Sequence, residues 1–189
     1  MTALRIVTAG DAAGIAAIYA PIVERTTISF EVAAPDAAEI ARRIAAAEEQ
    51  WPWLIASNGS VLGYAYAAQH RARAAYRWSV DVSVYVAEQG RRGGIGRRLY
   101  QALFAILRAQ RYYNAFAGIT LPNEASIGLH RALGFEPVGV YRNVGYKFGA
   151  WHDTAWWQRT LRPPATDVAE PLAFAALRDR FEQLIDPGR

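Results

Sequence analysis

Strands are predicted where apolar residues alternate with polar ones or form short β-branched and aromatic runs. Residues 53–56 and 61–66 flank Ser57-Asn58-Gly59-Ser60, a composition typical of a β-hairpin turn. Residues 80–86, Val-Asp-Val-Ser-Val-Tyr-Val, are the strongest strand segment of the chain. The same criteria predict further strands at residues 4–7, 113–119, 136–146 and 147–161. Residues 26–30 are β-rich but equally compatible with a loop.

Helices are predicted where apolar residues recur every three or four positions. The first follows Gly10-Asp11, and its apolar positions are Ile15, Ile18, Tyr19, Ile22 and Val23. Pro21 should kink it or begin a new turn. A second helix opens at Pro35-Asp36 and runs to about residue 50. Two more are predicted at residues 95–110 and 123–133, the latter ending at Gly134.

This alternation of helices with mostly consecutive strands predicts a layered α/β domain over residues 1–162. Pro163-Pro164 ends it. Residues 163–189 form a predicted C-terminal helical extension, because apolar residues recur there at helical spacing: Leu172, Ala176, Leu177, Phe181 and Leu184. A length of 189 residues with 52% hydrophobic and 20% charged residues is ordinary for one folded domain.

The net charge of +4 fits a protein that binds an anion. Its basic residues form short clusters, which suit a small anionic ligand better than nucleic acid: Arg71, Arg73, Arg77 and Arg91, Arg92, Arg97, Arg98. With no cysteine, the chain has neither disulfides nor a cysteine nucleophile. The three scattered histidines lack metal-ligand spacing, so no metal is expected. Signal-peptide and membrane-span patterns are absent from the sequence, and a cytoplasmic location without membrane contact is expected.

The segment 82–99 reads as strand, turn, glycine-rich loop and helix. Glycines let backbone N–H groups converge, and the helix N-terminus adds a positive dipole, which together favour a pyrophosphate. The segment lacks both the Gly-Lys-Ser/Thr ending of a P-loop and the Gly-x-Gly-x-x-Gly dinucleotide pattern. Taken alone it predicts an anion site, and a glycine-rich turn with two solvated arginines is the alternative.

Two motifs resemble those of the GNAT superfamily of N-acetyltransferases. Arg91, Gly94 and Gly96 match its coenzyme A loop, Arg/Gln-x-x-Gly-x-Gly/Ala, and Asn123 begins a downstream segment that ends in Gly134-Phe135. The resemblance implies acetyl-CoA as cofactor and the GNAT fold, a mixed central β-sheet of about six or seven strands flanked by helices. The implied cofactor-binding residues are Val84, Tyr85, Val86, Arg91, Arg92, Gly93, Gly94, Ile95, Gly96, Arg97, Asn123 and Ser126.

The chain is similar in particular to the phosphinothricin and methionine sulfoximine acetyltransferase family. The segments that carry this likeness are 29–31, 51–54, 73–78, 84–86 and 145–153. It implies a small amino-acid-like amine as acceptor, bound by Phe30, Arg73, Tyr76, Arg77 and Trp78. It also implies a homodimer, formed through the strands that carry Trp151, Trp156 and Trp157; an ordinary strand core is the alternative. Departures from the family pattern are His70, which replaces an aromatic residue, and Ala68-Gln69, which replace Gly-Pro.

Two residues are candidates for proton transfer. An ammonium must lose a proton before it can attack a thioester, and a carboxylate is the usual acceptor. Asp81, on the strand before the loop, stands where the family has a Glu and is the candidate general base, with water more readily bridging to its shorter side chain. His130 stands where many GNAT enzymes have a Tyr near the sulfur and is the candidate proton donor to the thiolate. Purely structural roles are the alternatives for both.

Other functions remain open at this stage. The acceptor could be a peptide N-terminus, a polyamine or an aminoglycoside, although the arginine cluster would repel a polycation. The chain could instead be a non-catalytic regulatory module that binds acyl-CoA, which a retained carboxylate at Asp81 disfavours. Nucleic-acid binding rests on the basic pI alone.

Overall fold

The computed structural model describes residues 2–186, in which seven strands form one mixed sheet in the order β1-β2-β3-β4-β5-β7-β6. The strands are β1 Ala3–Ile6, β2 Trp53–Ser57, β3 Val61–Gln69, β4 Ser79–Val86, β5 Asn114–Thr120, β6 Glu136–Lys147 and β7 Ala150–Thr160. Neighbouring strands are antiparallel, except that β4 and β5 are parallel. The helix between β4 and β5 provides the crossover that a parallel pair requires. The predicted mixed α/β layered fold is confirmed.

Helices cover both faces of the sheet. They are α1 Ala12–Arg25, α2 Ala37–Ala47, α3 Ile95–Ala109, α4 Glu124–Ala132 and α5 Phe181–Ile185. Helices α1 and α2 pack together on one face, and α3 packs against β2, β3 and β4 on the other. The period-two alternation of β2 serves both layers, since Trp53 and Ile55 join the α1/α2 core while Leu54 and Ala56 join the α3 core.

Most predicted elements agree with the structure to within a few residues. Asp36 caps α2 by accepting a hydrogen bond from the Glu39 N–H at 2.8 Å, as a helix opening at Pro35-Asp36 requires. Helix α1 continues through Pro21 to Arg25. Residues 26–30 form a loop and no strand.

The C-terminal segment packs against the main core. Its first part is a 3₁₀ helix, Phe174–Arg180, which leads into the single short helix α5. Phe174 and Phe181 are buried in the same cluster as α3. The Gln110 side chain donates to the Leu172 carbonyl at 2.9 Å, and the Leu172 N–H donates back to the Gln110 carbonyl at the same distance. The segment is thereby joined to the end of α3.

Candidate active site

Strands β4 and β5 lie side by side for three residue pairs and then separate. The pairs join Ser79–Asp81 to Asn114–Phe116, so Asp81 is the last residue of β4 that β5 covers. Beyond it, β4 remains paired with β3 and borders a small cavity of about 50 Å³ on its other side, which Ser83, Tyr85 and Thr120 help to line. Backbone groups in this gap can reach a ligand, because a neighbouring strand does not occupy them.

The glycine-rich loop leads directly into α3. Gly94 is the N-cap residue and has a φ of 75°, a left-handed conformation that glycine adopts without strain. Gly90 is packed so closely that a Cβ would lie 3.0 Å from the Leu62 carbonyl oxygen. A Cβ on Gly96 would lie 3.3 Å from the Leu129 side chain. Glycine thus relieves backbone strain at Gly94 and close contacts at Gly90 and Gly96, and leaves the approach to the helix N-terminus clear.

An open cavity of about 620 Å³ lies above this helix N-terminus, between the end of β4 and the start of α4. Its size is typical of a site for a cofactor. The predicted cofactor residues that line it are Val84, Tyr85, Val86, Arg91, Arg92, Gly94, Ile95, Gly96, Arg97, Asn123 and Ser126. Gly93 lies in the adjoining turn and is exposed. The exposed guanidinium groups of Arg91 and Arg92 add positive charge at the mouth.

Asn123 connects the two cavities, since it lines both. Its side-chain oxygen accepts a hydrogen bond from the Ser126 N–H at 3.1 Å and caps α4. This commits the oxygen to the helix and leaves the amide NH₂ to donate to a ligand.

Asp81 is half-buried and its carboxylate is paired. Oδ1 lies 2.6 Å from Nδ1 of His70, a residue that the sequence analysis noted only as a departure from the family pattern. Burial raises the pKa of Asp81, while the hydrogen bond from His70 and the positive charge of Arg71 act in the opposite direction. The carboxylate is thus held in a setting that favours proton uptake more than water does.

His130 is buried on α4, with only 4% of its surface exposed, and lines the small cavity beside β4. Nδ1 lies 2.8 Å from the Ser126 carbonyl oxygen, which can only accept, so Nδ1 carries the proton. Nε2 then accepts from the Tyr100 hydroxyl at 3.2 Å. Burial lowers the pKa of His130, which favours this neutral form.

Phe30 is fixed by the far end of the β6–β7 hairpin. A Cβ on Gly145 would overlap its ring, and the His152 ring lies 6.3 Å away. Buried Lys147 holds the same region, because Nζ donates to the carbonyl oxygens of Val23 at 2.6 Å and Ser29 at 2.7 Å. Burial lowers the pKa of Lys147. The hairpin and the 26–30 loop are therefore tied together beside the site.

The remaining predicted acceptor residues fall into two groups. Tyr76 lies edge-on to His70, with ring centroids 6.0 Å apart, and exposed Arg73 precedes the same 3₁₀ turn. Arg77 instead forms a 2.8 Å ion pair with Glu170, and Trp78 donates to the Ala169 carbonyl oxygen at 3.0 Å. The structure places Tyr76 against His70, the hydrogen-bond partner of Asp81. It places Arg77 and Trp78 against the C-terminal segment.

Sequence reasoning missed the contacts of His70 and Tyr100. The β3–β4 register opposes Gln69 to Val80, which places His70 one step beyond and diagonal to Asp81. That signal was available once the two strands were paired. Tyr100 gave no comparable signal, because it reaches His130 from a different helix.

Residues 2–186 contain no cluster of three or more His, Cys, Asp or Glu side chains able to hold a metal ion. Among these residues, the helices are also too short or too polar to traverse a bilayer.

Comparison with known proteins identifies the family to which this chain is similar. The family model described as acetyltransferase (GNAT) domain matches residues 4–156. Phosphinothricin N-acetyltransferase of Streptomyces viridochromogenes is 38% identical over 163 residues, covering 86% of this chain and 89% of its own. The L-methionine sulfoximine/L-methionine sulfone acetyltransferase of Pseudomonas aeruginosa is 42% identical over 159 residues, covering 81% and 91%.

A solved structure supports the same family assignment. The crystal structure of a GNAT superfamily phosphinothricin acetyltransferase from Sinorhizobium meliloti, in complex with AcCoA, superposes with a TM-score of 0.83 at 35% identity. The match covers 92% of this chain and 98% of that one.

Proposed function

The chain belongs to the GNAT acetyltransferase family and is an acetyl-CoA-dependent N-acetyltransferase, and on this premise we propose its acceptor, its catalytic residues and its assembly. The acceptor we propose is the primary amine of a small amino-acid-like compound of the phosphinothricin or methionine sulfoximine/sulfone type. The acetyl group passes to the amine by direct attack while both substrates are bound. The observation that carries the proposal is the Asp81 carboxylate at the point where β4 and β5 separate, hydrogen-bonded to His70, whose ring contacts Tyr76.

The large cavity suits coenzyme A in shape and charge. Its glycine loop opens the α3 N-terminus to a pyrophosphate, with Arg91, Arg92 and Arg97 around it. The Asn123 amide and the backbone of residues 84–86 would hold the pantetheine arm and the thioester end. When bound, the cofactor supplies an activated acetyl group and a thiol leaving group.

Asp81 is the general base in this proposal. It removes a proton from the substrate ammonium, directly or through one water, and leaves a neutral amine. The pKa raised by burial supports the role, since a carboxyl that takes up protons more readily is a better base. His130, neutral and bonded to Tyr100, is proposed as a relay: Nε2 takes up the second proton that the amine nitrogen loses as the amide forms and passes it to the departing sulfur, so the imidazole is neutral before and after.

For the acceptor side we propose that Phe30 and Tyr76 form the walls and Arg73 binds the substrate carboxylate or phosphinate. A guanidinium offers bidentate hydrogen bonds to either group. Arg77 and Trp78 support this turn from behind, through Glu170 and the Ala169 carbonyl oxygen.

We further propose a cytoplasmic homodimer with residues 1–162 as the catalytic domain and 163–189 as an appended segment. The cytoplasm is where acetyl-CoA would meet the enzyme. Large apolar side chains remain exposed along the β6–β7 hairpin, which supports pairing through that surface: Val138, Val140, Tyr141, Val144, Tyr146, Phe148 and Trp151.

The acceptor is tested by incubating the protein with acetyl-CoA and one amine at a time, and measuring the release of free thiol. We expect turnover with phosphinothricin, methionine sulfoximine or methionine sulfone, and none with a polyamine or an aminoglycoside. Asp81→Asn should lower kcat/KM by roughly 100-fold or more, the usual contribution of a general base. Turnover of a peptide or polyamine alone would contradict the proposed acceptor, and an unchanged Asp81→Asn rate would contradict the role of Asp81.

A further inference from the structure

His70 forms a short hydrogen bond to the candidate general base. Nδ1 of His70 and Oδ1 of Asp81 are 2.6 Å apart, within the range of charge-assisted bonds. An ionised carboxylate can only accept, so Nδ1 carries the proton while Asp81 is charged. One carboxylate oxygen is therefore committed to the imidazole, and the other is left for the amine or a bridging water.

The imidazole is held rigidly on several sides. Its ring stacks on Phe116 with centroids 4.2 Å apart and planes 15° apart. Tyr76 and Trp156 meet its edge at 6.0 and 6.2 Å. The His70 side chain is only 10% exposed, whereas Asp81 is 35% exposed. A rigid, buried donor beside a half-exposed acceptor is suited to orienting the acceptor.

Few other charges act on this pair. Arg71 is the further charged group that favours ionised Asp81, and it follows His70 directly in the chain. From β3, half-buried Tyr66 faces Asp81, and from the 3₁₀ turn Tyr76 faces His70. Phe116 of β5 and Trp156 of β7, which complete the surround, do not titrate. Of these neighbours, His70 is the one that makes a hydrogen bond to the Asp81 carboxylate.

We propose that His70 is the positioning residue of the general base, so that proton abstraction is the work of a His70–Asp81 pair. The proposal rests on the proposed function. His70 Nδ1–H holds Oδ1, which fixes the short Asp81 side chain and aims Oδ2 at the substrate. The ammonium proton moves to Oδ2, the nitrogen keeps its electron pair, and Nδ1–H stays bonded to Oδ1. The same hydrogen bond keeps the resting carboxylate ionised.

The test is the pH profile of kcat/KM for the amine in the wild type and two variants. His70→Phe fills the space but cannot donate, so the pKa of Asp81 rises and the acidic limb moves to higher pH. Because the carboxylate also loses its orientation, kcat/KM should fall about 10- to 100-fold on the plateau, with the KM for acetyl-CoA unchanged. His70→Asn places an amide N–H near the Nδ1 position. It should return the acidic limb close to its wild-type pH and restore most of the plateau kcat/KM.

Arg71→Gln is the matched control, because it removes a neighbouring positive charge without touching the hydrogen bond. It should move the acidic limb less than His70→Phe does, and it should leave the plateau within about threefold. A readout independent of turnover is the downfield proton resonance of Nδ1–H, which is expected in the wild type and absent from Asp81→Asn.

Two results would overturn the inference, in distinguishable ways. A wild type that acetylates no amine removes the proposed function and this pair with it. If the wild type acetylates an amine and the pH profile of kcat/KM for His70→Phe superimposes on that of the wild type, the role of His70 is refuted and the proposed function stands. If His70→Phe does not fold, as judged by thermal unfolding, the decision rests on His70→Asn and the resonance. A signal assigned to His70 that persists in Asp81→Asn would then refute the pairing.

Discussion

At the scale of single residues, burial shifts the two candidate proton-transfer groups toward their neutral forms. It raises the pKa of Asp81 and lowers the pKa of His130. The carboxylate can take the first proton from the ammonium, and the neutral imidazole can take up a second proton at Nε2 and pass it to the sulfur. Hydrogen bonds oppose both shifts, since the bond from His70 lowers the pKa of Asp81 and the bond to the Ser126 backbone raises the pKa of His130.

His130→Phe tests whether the imidazole acts on the leaving sulfur. The variant keeps an aromatic ring in the buried space but removes both nitrogens, so kcat should fall roughly 100-fold while the KM for acetyl-CoA changes little. Steady-state kinetics with the best amine of the panel provide the measurement. Tyr100→Phe is the companion variant, because it removes only the hydroxyl bonded to Nε2 and should have a smaller effect. If His130→Phe keeps the wild-type kcat, His130 takes no part in the reaction and serves only in packing.

At the scale of elements, the sequence was informative wherever an element is specified by its own residues. The glycine loop before α3 depends on local turn chemistry and the start of α4 at Asn123 on local capping chemistry, and both helices begin where the sequence predicted them. The Asp81–His70 bond depends on the register of two strands, and the Lys147 contacts join residues 118 and 124 positions apart. No local pattern encodes such pairs, so the loop was predicted and the partners were not.

Gly94→Ala should weaken both the α3 N-terminus and cofactor binding. No atom lies within 4 Å of a Cβ at this position, so the cost is that of the left-handed backbone alone, about 1 kcal/mol in the free energy of unfolding. Denaturant unfolding measures that cost, and calorimetric titration with coenzyme A measures the loss of affinity.

Gly93→Ala is the control for this change. Gly93 lies in the same loop and is not among the glycines with positive φ. A Cβ at Gly93 would lie 3.5 Å from the Gly90 carbonyl oxygen, which is an ordinary van der Waals contact. The substitution should therefore be nearly neutral in unfolding. Equal losses of stability in the two variants would mean that the backbone conformation of Gly94 is not what limits the loop.

At the scale of the whole molecule, strand order decides which apolar residues are buried. The GNAT fold predicted from the sequence is confirmed. Sequence alone could not tell that Trp157 is buried and Trp151 exposed, because the two are an even number of residues apart in β7 and so point to the same face of the sheet. Trp157 pairs with β5 on one side and β6 on the other and is 6% exposed, whereas Trp151 pairs only with Tyr146 of β6 and is 63% exposed. The hairpin extends beyond the sheet, where Tyr146, Phe148 and Trp151 remain exposed.

That extension is the surface through which we predict that two copies associate. Trp151→Glu places a charge on it, and should shift the protein from twice the 20.9 kDa chain mass to a monomer in sedimentation equilibrium. Val32→Glu is the control, because Val32 is 83% exposed but lies outside the hairpin, and it should leave the mass unchanged.

The same variant should also affect turnover. Phe30 packs beside Gly145 and Lys147 ties the hairpin to the 26–30 loop, so loosening the hairpin should raise the KM for the amine and spare the KM for acetyl-CoA. A wild-type chain that sediments as a monomer would refute the dimer. If Trp151→Glu is monomeric but keeps the wild-type KM for the amine, the dimer of the wild type stands and the acceptor site does not depend on it.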